Sequence, residues 1–311
     1  MNPFKLFSVS KHSAKLTKDI ASTLQVAPGA LYNTRFSDGE VYARFDETIR
    51  GETVVLIAQV DLPYHHLFEL FVAADAARRS SAKEIVAVIP YLPHSRQERR
   101  DGERTAVTSR LIADFIEHAG ATRVLTVDMH TLSIEGFFKL PIDHLQMSSV
   151  FLDDLRRRYA KDDLLLCSPD FGGLKRIRAY KQALDCDMAV IHKERLRPNQ
   201  VDNMEIIGTV KDRDVVLIDD LIDTGGTLVK AAELLLRQGA RSVSAYCTHA
   251  VLSGDAPKRL LASPLKEIVW TNTIPNRPTG GKFRTINCAP LLARALKQLL
   301  SNQSIKAINQ L

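Results

Sequence analysis

The stretch VVLIDDLIDTGGT, Val215–Thr227, drives an apolar run into three aspartates and then into a Thr-Gly-Gly-Thr turn. The run VVLI has the length and β-branched content of a buried strand, and the following LVKAAELLLRQ repeats its apolar residues at helical spacing. A buried strand, a glycine turn and a helix make one parallel strand–helix unit, so the stretch points to an α/β fold. In open parallel sheets ligands sit beyond the carboxyl ends of strands, which places Asp219 and Asp220 where a ligand would be. The loop Asp223-Thr224-Gly225-Gly226-Thr227 then opens the helix. Its glycines let backbone N–H groups converge on an anion, the helix N-terminus adds positive partial charge, and the threonines supply hydroxyls.

The same alternation runs through the chain. Candidate strands are TVVLIAQV, EIVAVIPY and RVLTVDM in the first half, then DLLLCSP, MAVIH, VVLIDD, VSAYCTH and IVWTN in the second. Between them lie amphipathic stretches such as HLFELFVAADAARRS, TSRLIADFIEHAGA and TLVKAAELLLRQGA, two of which end in a Gly at the expected helix C-cap. The pattern breaks at FFKLPIDHL, Phe137–Leu145, where Pro141 interrupts it before a new helix, SSVFLDDLRRRYA. Two domains are therefore expected, 1–145 and 146–311, each with its own mainly parallel sheet flanked by helices. Neither a short-period repeat nor a low-complexity segment occurs.

Composition suits this division. The 311 residues are 45% hydrophobic and 25% charged, enough for two full cores. Forty-two Lys+Arg face 36 Asp+Glu, a net charge of +6 with the basic residues interspersed, which favours anionic small molecules and argues against a nucleic-acid partner. Cys167, Cys186, Cys247 and Cys288 are far apart and lack metal spacing, so they read as reduced, buried thiols of a cytoplasmic protein. The N-terminal segment has no continuous apolar core of a signal peptide, and no apolar run is long enough to span a bilayer, so no membrane partner is expected.

The aspartates cannot hold the anion of the adjacent loop, because like charges repel. They suit something neutral and polar attached to it, such as the vicinal hydroxyls of a ribose, each hydrogen bond being worth about 1.5–3 kcal/mol when one partner is charged. The segment thus asks for a sugar phosphate, the alternative being a solvated turn with Asp as helix N-cap.

VVLIDDLIDTGGT resembles the ribose-phosphate signature shared by phosphoribosyltransferases and the ribose-phosphate pyrophosphokinase (phosphoribosyl diphosphate synthetase) family, and on this motif alone either reading stands. The second resemblance extends over nearly the whole chain. It runs through RFSDGEVYARF (Arg35–Phe45), IPYLPHSRQERR (Ile89–Arg100), TRVLTVDMH (Thr122–His130), SPDFGG (Ser168–Gly173) and HKERLRPN (His192–Asn199). A phosphoribosyltransferase would have one such domain and no use for the SDGE and SRQER elements.

The chain carries no GxxxxGK[ST] or GxGxxG motif, so a nucleotide must be held by other means. In the SDGE turn, Asp38 and Glu40 are acceptors for an adenine amino group or a ribose, and Phe36 offers a flat apolar face; a plain surface turn is the competing reading. The resemblance implies that Phe36, Asp38, Gly39 and Glu40 help form an adenosine pocket, partly across a subunit interface. Arg96 can grip polyphosphate bidentately, and the resemblance implies that it and Gln97 meet ATP. It also implies that His130 and Asp170 approach magnesium. Asp170 is the firmer ligand, since His nitrogen is unusual on this hard ion. Lys193 and Arg195 match the family's catalytic flap, where cations would stabilise the transferring group, and Arg195 also faces ribose 5-phosphate.

The expected reaction is attack by the anomeric hydroxyl of ribose 5-phosphate on the β-phosphorus of Mg-ATP, giving 5-phosphoribosyl 1-diphosphate and AMP. Thr224, Gly225, Gly226 and Thr227 would grip the 5-phosphate, with Asp219, Asp220 and Asp223 on the sugar side, directly or through a second magnesium. Family members assemble as dimers that build larger rings, commonly hexamers, so a homo-oligomer is expected. Two other readings remain open: a catalytically silent, synthetase-like regulatory subunit, and a phosphoribosyltransferase or diphosphate sensor. The chain departs from the family where phosphate and ADP regulate activity. It carries Thr48 in place of a Ser, Thr131-Leu132-Ser133-Ile134-Glu135 in place of A-[SD]-Q-I-Q, and a different C-terminus. Glu135 would repel a regulatory anion, so weakened phosphate activation and ADP inhibition are expected.

Overall fold

The structure is a computed structural model and describes residues 4–64, 66–194 and 203–309. Two compact units make up the chain.

The first unit is built on β1 (Phe4–Ser8), α1 (Ala14–Leu24), β2 (Leu31–Arg35), β3 (Val41–Phe45), β4 (Thr53–Ile57), α2 (His66–Arg79), β5 (Glu84–Ile89), α3 (Thr108–Ala119), β6 (Arg123–Val127) and β7 (Ile142–Leu145). Five strands form a parallel sheet in the order β1-β4-β5-β6-β7, and β2 and β3 make a separate antiparallel hairpin. Val54, Leu56, Ala87 and Ile89 pack with Leu70 and Ala73 of α2 and Ile112 and Ile116 of α3. The alternating residues Val55, Ile57, Val86 and Val88 are buried as well, so both sheet faces are covered, as a parallel sheet requires. PIDHL, read from sequence as an interruption, supplies the fifth strand, paired Leu125↔Asp143 and Thr126↔His144 with β6.

The second unit contains α4 (Ser148–Arg158), β8 (Leu164–Ser168), α5 (Leu174–Leu184), β9 (Asp187–Glu194), β10 (Asn203–Ile207), β11 (Asp214–Ile222), α6 (Gly226–Arg237), β12 (Ser242–Ala250), α7 (Ala256–Ala262), β13 (Ile268–Thr271) and β14 (Phe283–Ile286). The sheet order is β10-β9-β8-β11-β12-β13-β14, with only the β10–β9 pair antiparallel. From β8 the chain steps to β9 on one side and then to β11 on the other. The order therefore reverses between β8 and β11, the place in such sheets where ligands bind. Asp154, Tyr246 and Arg284 brace α4 against the sheet, with Tyr246 Oη 2.7 Å from Asp154 Oδ2 and Arg284 Nη1 3.1 Å from Asp154 Oδ1.

The C-terminal helix α8 (Ala289–Leu300) packs on α1 and belongs with the first unit, together with residues 273–276. A division by sequence at Leu145 follows chain order. The apolar stripe of α8, Leu291, Leu292, Ala295 and Leu296, is instead buried in the unit that the chain left earlier. All four cysteines are free and buried, and burial pushes the Cys167 thiol up to about 12, which keeps it an unreactive thiol. Among the described residues no helix is long and apolar enough to cross a membrane.

Candidate active site

The strand that sequence reading ends at Asp219-Asp220 continues to Ile222. Its pairing with β8 stops at Leu217↔Cys167, whereas pairing with β12 runs on through Asp219↔Cys247 to Ile222↔Ala250. The segment 218–222 thus has lost its β8 neighbour, and both aspartates stand at the switch point.

Asp220 is buried and Asp219 keeps a partly open face. Asp219 Oδ1 accepts the Asp220 N–H at 2.8 Å. Arg176, in the first turn of α5, places Nη1 3.4 Å from Asp219 Oδ1 and Nη2 3.3 Å from Asp220 Oδ1. Burial and the adjacent Asp220 carboxylate push the Asp219 carboxyl well above the usual range, and Arg176 opposes them.

Beyond β11, Gly225 takes φ of 74°, a left-handed conformation that L side chains adopt at a cost, and ends the turn as the N-cap of α6. A Cβ on Gly225 would lie 3.0 Å from Leu260 Cδ2 of α7, so the turn sits directly on that helix. Arg259 of α7 donates to the Thr224 carbonyl. The N-cap of α6 is Gly225, which has no side chain to cap the helix, and Thr224 and Thr227 are exposed. The loop therefore presents first-turn amides and two hydroxyls on a braced backbone, an arrangement that receives an oxyanion.

The SPDFGG loop follows β8. Asp170 is exposed, and its Oδ1 accepts the Gly173 N–H at 3.0 Å. Phe171 packs its ring 5.0 Å from that of His192, in β9. Lys193 follows in the same strand, its backbone paired with Met204. Arg195 lies outside the described residues, as does the Lys193 side chain.

In the first unit, Phe36, Asp38, Gly39 and Glu40 form the exposed tip of the β2–β3 hairpin. Asp38 Oδ1 accepts the Glu40 N–H at 3.0 Å, Gly39 takes φ of 93°, and the Phe36 ring meets Tyr42 edge-on at 5.6 Å. Arg35 ties the hairpin down, donating to the Gly39 carbonyl at 3.2 Å and to Glu69 of α2 at 2.8 Å. Arg96 and Gln97 are exposed in the turn after β5. Gln97 Oε1 accepts from the Thr108 hydroxyl at 2.5 Å, and the Ser109 hydroxyl donates to the His94 carbonyl at 2.6 Å, so the start of α3 holds this turn.

His130 is exposed at the end of the turn after β6. Asp128 has φ of 37°, its N–H donates to the Leu145 carbonyl at 2.8 Å, and the Met129 N–H donates to His144 Nε2 at 3.0 Å. Among the described residues, no group of three or more His, Cys, Asp or Glu side chains has metal-binding geometry. Leu132 and Glu135 lie on a short 3-10 helix, Leu132–Phe137, with Leu132 exposed and Glu135 Oε1 3.7 Å from His144 Nδ1.

Sequence reading missed Arg176, Arg259 and Leu260, which hold the aspartates and the loop in place. A signal for Arg176 existed in GGLKRIR, where cations occupy the start of a helix, the end that disfavours them. None marked α7.

The chain was compared with known proteins. The N-terminal domain of ribose phosphate pyrophosphokinase matches residues 4–120, and the phosphoribosyl synthetase-associated domain matches residues 194–309. The ribose-phosphate pyrophosphokinase of Maricaulis maris is 43% identical over 297 residues, 94% of this chain and 96% of that one. That of Porphyromonas gingivalis is 40% identical over 307 residues, 99% and 98% of the two chains. The crystal structure of phosphoribosylpyrophosphate synthetase from Mycobacterium smegmatis superposes with a TM-score of 0.91 at 34% identity, covering 97% of this chain and 100% of that one.

Proposed function

The chain belongs to the ribose-phosphate pyrophosphokinase family, and from that premise we propose how its residues carry out the family's reaction. It is a ribose-phosphate diphosphokinase: the diphosphoryl group of ATP passes to the anomeric hydroxyl of ribose 5-phosphate, giving 5-phosphoribosyl 1-diphosphate and AMP. The observation that carries the assignment of residues is the junction of β11 and α6, where two carboxylates adjoin a braced loop whose helix N-cap is a glycine.

Thr224, Gly225, Gly226 and Thr227 bind the 5-phosphate through loop amides and hydroxyls. Asp219 and Asp220 accept from the ribose hydroxyls, which fixes the sugar and leaves its anomeric oxygen to attack. Asp223 joins the strand end to that loop. Phe36, Asp38, Gly39 and Glu40 take the adenosine, and Arg96 with Gln97 takes the polyphosphate. Lys193 and Arg195 stabilise the charge that develops on the transferring group, a role in which cations act by position rather than by covalent chemistry.

Magnesium belongs to this reading, and the donors fit it. Asp170, Asp219 and Asp220 offer hard carboxylate oxygens. Asp170 and His130 would hold the ion, Asp170 more firmly. When bound, it neutralises charge on the triphosphate.

Assembly as a dimer-based homo-oligomer and a cytoplasmic setting complete the proposal, the latter supported by the four free thiols. The test is formation of AMP from ATP with and without ribose 5-phosphate. Production of AMP that depends on the sugar is expected. No AMP, with 5-phosphoribosyl 1-diphosphate still bound, would instead identify a silent homologue or a sensor.

A further inference from the structure

At the switch point of the second unit, an arginine outside every motif touches both sugar-side carboxylates. The two terminal nitrogens of Arg176 straddle the pair, Nη1 3.4 Å from Asp219 Oδ1 and Nη2 3.3 Å from Asp220 Oδ1. Helix stability alone does not account for it. The first turn of α5 contains no acid and begins Leu174-Lys175-Arg176, placing cations at the end where the helix dipole disfavours them. What the side chain faces does account for it. α5 starts immediately beyond the carboxyl end of β8, and a Cβ on Gly173 would fall 2.3 Å from Ser168 Oγ, so only glycine permits this close start. Because β8 neighbours β11, a side chain from the first turn of α5 reaches over the end of β8 to Asp219 and Asp220.

We propose that Arg176 is a positioning residue for ribose 5-phosphate: it holds Asp219 and Asp220 side by side as acceptors, without itself touching the sugar. The inference rests on the reading that this pair receives the ribose hydroxyls. Two adjacent carboxyl groups at the end of β11 must be kept in register if they are to receive two neighbouring hydroxyls. A guanidinium across both limits how they turn, because its planar fork meets the two at once, as a lysine point charge cannot. The contacts are longer than a close charge-assisted bond of about 2.7–2.9 Å, so the carboxylates are steadied and still able to turn to a hydroxyl.

The test is KM for ribose 5-phosphate, KM for ATP and kcat, measured side by side for the wild type, Arg176→Gln, Arg176→Lys and Asp220→Asn. Arg176→Gln is expected to raise KM for ribose 5-phosphate by about 10- to 100-fold, the size of one lost charge-assisted interaction, with KM for ATP within about twofold. Asp220→Asn moves the same constant in the same direction, and Arg176→Lys lies between because charge returns without the fork. A wild-type KM for the sugar in Arg176→Gln, while Asp220→Asn raises it, overturns the positioning role. No effect of Asp220→Asn overturns the ribose reading beneath it. An equal rise in both KM values reduces Arg176 to a structural ion pair and also overturns the proposal. Should Arg176→Gln fail to fold, Arg176→Lys carries the same comparison of the two KM values.

Discussion

Two acidic, glycine-containing turns of this molecule, the β11–α6 junction and the tip of the β2–β3 hairpin, look alike in sequence and differ in construction. At the junction the groups that line it have partners behind them: Arg176 on the carboxylates, Leu260 under Gly225, Arg259 on the Thr224 carbonyl. At the hairpin tip the Asp38 carboxylate is already engaged with the Glu40 N–H, and Phe36, Asp38, Gly39 and Glu40 face outward, with Arg35 tying the tip to α2. The junction is thus braced from within its own unit. The groups at the hairpin tip stay open to whatever meets them.

The largest expected effect lies in neither turn. Lys193→Ala should lower kcat by at least about a thousandfold, the lower end of what a cationic transition-state contact supplies, and leave the thermal transition unchanged. A discontinuous assay of AMP checks it, and near-normal turnover removes Lys193 from the mechanism.

Gly225→Ala probes the braced turn. A left-handed alanine pressed on Leu260 should cost about 1–3 kcal/mol. We expect a lower Tm and a raised KM for ribose 5-phosphate with KM for ATP unchanged. A shift of both constants together would mean that the turn is not a self-contained site.

Glu69→Gln probes the hairpin. Glu69 is almost buried and meets both Arg35 at 2.8 Å and His66 Nδ1 at 3.1 Å. Weakening this part-exposed pair by about 1 kcal/mol should raise KM for ATP about fivefold and leave the sugar constant alone. An effect on the sugar constant alone would reverse the assignment of the two turns.

The smallest effect concerns regulation. Activity titrated with inorganic phosphate should change little, because the Glu135 carboxylate and the exposed, apolar Leu132 are poor groups for an anion. Arg50 remains close in sequence to Thr48 and donates to Ser81 Oγ at 3.1 Å, so a strict phosphate requirement would show that the anion response survives these departures.

The contrast between the two turns also explains how much could be read from sequence. The β11–α6 junction was legible because strand, turn and helix are local, and buried strands with β-branched residues announce themselves. The brace behind it was not, since Arg259 and Leu260 come from a short helix with no periodic signal and approach only after the fold has formed. β7 was hidden by Pro141 and by its length, and β1 by its lysine and its short run. The return of α8 to the first unit was invisible because an amphipathic helix does not state which sheet it will cover. For the hairpin tip, residue chemistry left a surface turn and a ligand site both open, and the family resemblance alone separated them.

The central claim is that the chain makes the diphosphate rather than consuming it, and ATP labelled at the β-phosphorus tests this most directly. With ribose 5-phosphate present, the label is expected in 5-phosphoribosyl 1-diphosphate, with unlabelled AMP released in equal amount. Label retained in ADP, or retained in ATP while the sugar phosphate is bound, would contradict it.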